Sequence, residues 1–232
     1  MSEALSYSLE GDVAVLRMDD GKVNALSHAM IDALRKALDR AASEAGAVAL
    51  LGRPGYLTGG FDLKTMAQGA EAARGLVTAG AELLLELYEH PLPTVVGASG
   101  HALAAGALLL CAADTRIGAR GEFKIGLNEV AIGMTLPVFG VELARDRLCK
   151  RHYTEAVVQA RIYDPEAAVA AGFLDRSVPA QALERETLAS AAALTQLVKG
   201  AYAGTKRKTR AAVAGHIRDT LAADLARITG GA

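Results

Sequence analysis

Residues 123–133, FKIGLNEVAIG, carry one acidic side chain, Glu129, among mostly apolar neighbours. As a loop acid it would simply face water. Held partly dry, it would do chemistry, because burial raises a carboxylate's pKa toward neutrality, where it can take and return a proton. Ile125, Leu127, Val130 and Ile132 fit the second reading. Two glycine-containing turns add a second ingredient. TGGFDL follows the apolar run AVALL, and SGHALAAG follows TVVGA. Glycine permits sharp turns and close backbone approach to a ligand, and the first turn of a helix has unpaired backbone N–H groups. Two such helix starts facing one another would aim two amide donors at one point, which suits an oxygen that gains negative charge during a reaction. Strand–glycine–helix turns are common in α/β proteins, so this pattern alone is weak.

Other chemistry is poorly represented. GxxxxGK[ST], GxGxxG after a strand and HExxH are all missing, and the five histidines lack ligand spacing. His101 sits at a strand-to-helix turn, where a packing role is expected. Asp62 is placed to cap the helix that follows TGGF. Asn128 is placed either to hold the Glu129 carboxylate or to cap the next turn. The basic run TKRKTR, with Lys206, Arg207, Lys208 and Arg210, reads by default as a solvated helix surface. It lacks interleaved aromatics, and the net charge of −1 gives no global attraction to nucleic acid or anionic membrane.

These residues need a scaffold. A chain of 232 residues with 51% hydrophobic and 22% charged content suits one sizeable domain. The two cysteines, Cys111 and Cys149, form no CxxC pair, which argues against a disulfide scaffold or zinc site. With no export signal at the start, a cytoplasmic protein is expected. The span 91–113 has no Asp, Glu, Lys or Arg and His101 as its one basic side chain, but prolines and GASG interrupt it, so a membrane helix is not expected. Residues 7–9 and 13–18 flank EGD as a hairpin. Ser27 caps a helix in which Met30, Ala33, Leu34, Ala37, Leu38 and Ala41 repeat at helical spacing. AVALL and TVVGA read as buried strands, LAAGALLLCAA as a buried helix, and TRIGA and the segment around Phe123 as short strands. Helical patterns follow from Pro137, and 181–228 is Ala/Leu-rich. An α/β core over 1–180 with a helical appendage over 181–232 is expected.

GRPGYLTGGFDLKTM, SGHALAAGALLLCAAD and FKIGLNEVAIGMTLP, in this order and spacing, resemble the enoyl-CoA hydratase/isomerase (crotonase) superfamily. GKVNALS resembles that family's N-terminal acyl-CoA-binding loop, and PEAAVAAGFLDRSVP its late A-x-x-x-G-x-V-x-x-V-x-P pattern. The resemblance implies a spiral of ββα units, a helical C-terminal trimerisation region, and a coenzyme A thioester as substrate, with no metal or separate redox cofactor. It implies a homotrimer or dimer of trimers, with no nucleic-acid or membrane partner. Carried over by position, the oxyanion-hole donors are the backbone N–H groups of Phe61 and Ala105. Many relatives have glycine where this chain has Ala104 and Ala105. The family's substrate-contacting positions fall on Lys22, Val23, Ala25, Gly60, Asp62, Leu63, Lys64, Leu108 and Leu136. The region of TKRKTR approaches the CoA phosphates in relatives.

Crotonases that hydrate a double bond use two glutamates around a water. Here the first position falls on Leu108 and the second on Glu129. The pattern IGLNE with leucine at the first position resembles Δ3,Δ2-enoyl-CoA isomerases, which need one acid/base group. The resemblance therefore implies isomerisation of 3-enoyl-CoA to 2-enoyl-CoA in fatty-acid metabolism. Enoyl-CoA hydration and non-catalytic acyl-CoA binding are the alternatives.

Overall fold

Period-two alternation along the strands sorts their side chains between two cores. In the computed structural model, which describes residues 4–227, β1 (Leu5–Glu10) and β2 (Val13–Met18) form the expected hairpin. Ala14, Leu16 and Met18 point into the main core, while Val13 and Val15 point into a second cluster. β3 (Ala47–Leu51) continues the alternation: Val48 and Leu50 face the main core, and Ala47, Ala49 and Leu51 face the second cluster. A six-stranded sheet in the order β1-β2-β3-β5-β7-β9 results, with β5 (Thr94–Ala98), β7 (Thr115–Ala119) and β9 (Arg176–Val178). All its pairings except the hairpin are parallel.

Three strands of this sheet each lead into a strand of a second, three-stranded parallel sheet. They are β4 (Gly55–Thr58), β6 (Gly100–Leu103) and β8 (Ile125–Gly126), side by side in that order. Each second-sheet strand then runs into helix. β4 leads to α2 (Leu63–Met66) and α3 (Ala70–Glu89), β6 to α4 (Ala105–Ala112), and β8 through a 3-10 turn to α5 (Val138–Arg147). These are the ββα units that the resemblance implied. The segment around Phe123 is partly corrected: the strand begins at Ile125, and Phe123 lies in the preceding turn.

α1 (His28–Glu44) begins at Ser27, whose hydroxyl accepts the Met30 N–H at 3.2 Å, and it buries Met30, Ile31, Leu34, Ala37, Leu38 and Ala41. α4 is buried all round, as befits a helix with apolar residues on every face. α6 (Lys150–Val157) and α7 (Pro165–Ala171) complete the body before β9.

The C-terminal helices are built into that body. α8 (Leu183–Leu194) lies on the large sheet, where Leu183 and Ala191 close the second cluster. α9 (Lys199–Arg227) packs on α3 and α5 and buries Ala214, Ile217 and Leu225. The ends of the expected 1–180 and 181–232 regions, 1–3 and 228–232, lie outside the described residues. Among the described residues, no helix is long and apolar enough to cross a membrane.

Candidate active site

Phe61, Ala105 and Glu129 are each carried on the segment that leaves one strand of the small sheet, β4, β6 and β8 respectively. Thr58, Ala102 and Ile125 share one register row, so Phe61 and Ala105 come three residues beyond it and Glu129 four. Because the strands are parallel, all three lie at the same edge, and neighbouring strands are spaced about 4.8 Å apart. The carboxyl edge of a parallel sheet is a usual place for a ligand.

The first donor loop is stitched to the N-terminal loop. The Gly59 N–H donates to Val23 O at 2.8 Å, Leu26 N–H to Gly60 O at 2.9 Å, and Asp62 N–H to Leu26 O at 3.2 Å. The last two bonds flank Phe61, so in this parallel bridge the Phe61 N–H points away from Leu26. Its ring packs on α3 at Gly80, where an added Cβ would come within 2.1 Å of Cε1. Gly60 has φ +99°, and the Thr58 hydroxyl accepts its N–H at 3.1 Å. A Cβ on Gly60 would lie 3.2 Å from the Ala104 methyl and 3.7 Å from Ala105 N. The two loops therefore meet. Gly106 lets α4 start against β4, since a Cβ there would lie 2.6 Å from Thr58 O. Ala105 is the first residue of α4, a position whose N–H has no acceptor within the helix.

Glu129 is 8% exposed; of the four apolar neighbours expected to keep it dry, Ile125 and Leu127 are buried, but Val130 and Ile132 are exposed, which corrects that part of the expectation. Burial pushes its carboxyl up to about 7, only partly offset by its own backbone N–H. Its Oε2 is buried without a hydrogen-bond partner among the described residues. The backbone around it is firmly held, because Glu129 O accepts from Ile132 N–H at 3.1 Å and Met134 N–H at 2.9 Å. Asn128 caps nothing through its side chain, and its Oδ1 is likewise buried and unpartnered. Leu108 and Leu136 pack together against α5, both within about 3 Å of where a Gly140 Cβ would stand. At one edge of the small sheet the chain thus carries a buried carboxylate able to hold or release a proton near neutral pH and two backbone N–H groups of the kind that stabilise an oxygen as charge develops.

Lys22, Val23, Ala25, Asp62 and Lys64 line one groove of about 1010 Å³ between the N-terminal loop, α1 and α2. Asp62 also caps α2, accepting Thr65 N–H at 3.0 Å and its hydroxyl at 2.7 Å, and the Thr65 bond holds its carboxyl below the usual range. Leu63 is 77% exposed. His101 has a structural role: its Nδ1 accepts the Lys124 N–H at 2.9 Å, between the Tyr56 and Phe123 rings.

The basic run is corrected. Arg207 and Lys208 are exposed, but Lys206 and Arg210 are buried and bind Asp114 at 2.7 and 2.8 Å. Sequence reading also missed Asn24, whose side-chain N–H groups donate to Met18 O at 3.0 Å and Leu57 O at 3.1 Å, tying the N-terminal loop to β4. Its position inside GKVNALS was the available signal.

A family model for enoyl-CoA hydratase/isomerase matches residues 8–228. Among solved structures, an enoyl-CoA hydratase/isomerase family protein from Pseudomonas syringae is 46% identical, with a TM-score of 0.92 over 97% of this chain and 96% of that one. An enoyl-CoA isomerase from Mtb is 38% identical, with a TM-score of 0.91 over 97% of this chain and 100% of that one. A probable enoyl-CoA hydratase of Rhodobacter capsulatus is 32% identical over 97% of this chain and 88% of its own length.

Proposed function

Because the chain belongs to the enoyl-CoA hydratase/isomerase family, we propose that it moves the double bond of a 3-enoyl-CoA to the 2-position, with Glu129 as its one acid/base. The thioester oxygen lies between the Phe61 and Ala105 N–H groups. The Glu129 carboxylate takes a proton from C2, and the C–H electrons pass into a dienolate whose negative charge rests on that oxygen. The protonated Glu129 then returns the proton at C4, leaving a C2–C3 double bond conjugated with the thioester. No metal or redox cofactor enters this scheme.

The observation that carries the reading is a buried carboxylate with an oxygen that no described residue partners and a pKa pushed by burial to about 7. Such a group can hold or release a proton at neutral pH. Hydration needs a second group to orient water, and the position on α4 is Leu108, packed against Leu136 and Gly140. The relative named a probable enoyl-CoA hydratase keeps hydration as the second reading. Incubating the protein separately with 3-enoyl-CoA and 2-enoyl-CoA distinguishes them when the products are separated by chromatography and their masses and conjugated-thioester absorbance are read. Isomerisation converts the 3-enoyl thioester without a mass change, whereas hydration adds one water to the 2-enoyl thioester. Conversion of neither leaves acyl-CoA binding without catalysis. The same proposal places the protein in the cytoplasm as a homotrimer or dimer of trimers acting on fatty acyl-CoA.

A further inference from the structure

Each proposed donor is presented by a residue of positive φ just before it. Gly60, at φ +99°, precedes Phe61, and Ala104, at φ +52° and ψ −121°, precedes Ala105. Glycine takes up such a conformation freely, whereas a residue with a Cβ is strained in it. Asn24 shares a φ of +52°, but its side-chain amide makes hydrogen bonds that offset the strain. Ala104 has only a methyl and can make none.

The strained residue is pinned on both sides. Its N–H donates to Gly126 O at 3.0 Å, at the end of β8, and its carbonyl accepts Ala107 N–H at 2.9 Å and Leu108 N–H at 3.2 Å. Glycine would keep all three bonds and lose the strain. What it would not supply is the methyl that lies 3.2 Å from where a Gly60 Cβ would stand, on the side facing the other loop.

We propose that Ala104 is a positioning residue, whose methyl acts as a spacer between the two donor loops and fixes the aim of the Ala105 N–H. The strain is the consequence of placing a Cβ where the loops need a wedge. The proposal rests on reading the Phe61 and Ala105 N–H groups as an oxyanion hole.

The test uses the full chain and a thioester that neither isomerisation nor hydration can convert, carbonyl-labelled hexanoyl-CoA, read by isotope-edited infrared spectroscopy. In the parent protein the bound carbonyl stretch should fall below its value in water, as two good donors require. Ala104→Gly should bind the thioester with a smaller downshift, and its melting temperature should rise by about 2–4 °C as strain is released. With 3-enoyl-CoA, its kcat should fall about tenfold, less than complete loss of a donor, with KM within about twofold. Ala104→Ser keeps the Cβ, so its carbonyl shift should lie nearer the parent's than the glycine variant's does. If the glycine variant melts higher but keeps the parent's carbonyl shift and kcat, Ala104 positions nothing and the proposal is wrong. If it melts lower, the methyl is core packing and the proposal is equally wrong. If the parent itself produces no downshift, the oxyanion-hole reading fails first.

Discussion

Asp114 and Glu129 are both acids drawn out of solvent, and they titrate in opposite directions. Asp114 accepts the Thr94 N–H at 2.8 Å and the Thr94 hydroxyl at 2.9 Å, and it pairs with Lys206 and Arg210. Burial pushes its carboxyl up, but Lys206 and Arg210 outweigh burial and hold it below the ordinary range. Among the described residues Glu129 has no cation beside it and no partner for one oxygen, so burial carries it up to about 7. Burial alone therefore does not tell what an acid is for. A carboxylate whose partners are all supplied by the chain ties elements together, here α9 to the start of β7. A carboxylate left short of partners is open to a substrate.

Removing the charge at Asp114 is the harshest way to break this contrast. Asp114→Asn leaves Lys206 and Arg210 buried without a counter-charge, which should cost about 3–5 kcal/mol of stability. Turnover per folded molecule should change little. In the parent, a depressed carboxyl means that this stability is fully present above about pH 4 and is lost as pH falls through the lower folded value. Denaturant unfolding at neutral and acid pH measures both effects. A variant that keeps its stability but loses turnover would move Asp114 to the chemical side of the comparison.

Glu129→Gln should act with the opposite signs. It preserves size and removes the base, so isomerisation should fall at least about a hundredfold, while acyl-CoA binding persists. Stability should instead rise. Between about pH 4.5 and 7 the folded parent holds a proton that the unfolded chain has lost, so the parent loses stability as pH climbs through this window. At about pH 8 the variant should therefore be more stable by roughly 1–3 kcal/mol, and the difference should vanish near pH 4. Paired unfolding curves at the two pH values check the sign. Equal midpoints at both would mean that Glu129 is not a desolvated acid.

The two acids also differ in how far they could be read from sequence. Glu129 was legible in part from its neighbours in the chain: Ile125 and Leu127 are buried as expected, whereas Val130 and Ile132 are exposed. AVALL, TVVGA and the helix after Ser27 were legible because their signals are local periods and caps. Asp114 was not, because Lys206 is 92 positions away and the contact exists only once α9 docks. A basic run on a helix ordinarily faces water, and nothing local marks two of its members as buried. The place of α8 on the large sheet was hidden likewise, since an Ala/Leu-rich stripe does not name the surface it covers. Ala104 is the extreme case. An alanine carries no sign of a positive φ, and two strands must be in place before its methyl meets Gly60.

The mildest probe of the contrast leaves the sequence untouched. If Glu129 supplies the base, the reactive form is its carboxylate, and a group titrating near 7 is about one-tenth ionised at pH 6 and nine-tenths at pH 8. The parent's kcat with 3-enoyl-CoA should thus rise about tenfold across that interval, with a single midpoint that the bound thioester can displace by excluding more water. Asp114 is ionised throughout this range because its carboxyl is held low, so it cannot be the source of the midpoint. Following Asp114→Asn under conditions where it is folded separates the two acids directly. The rate profile should keep its midpoint, whereas the residual rate of Glu129→Gln should lose it. A profile flat from pH 6 to 8 in the parent, measured with chemistry rather than product release limiting, would remove Glu129 as the proton carrier while leaving Asp114's structural part intact.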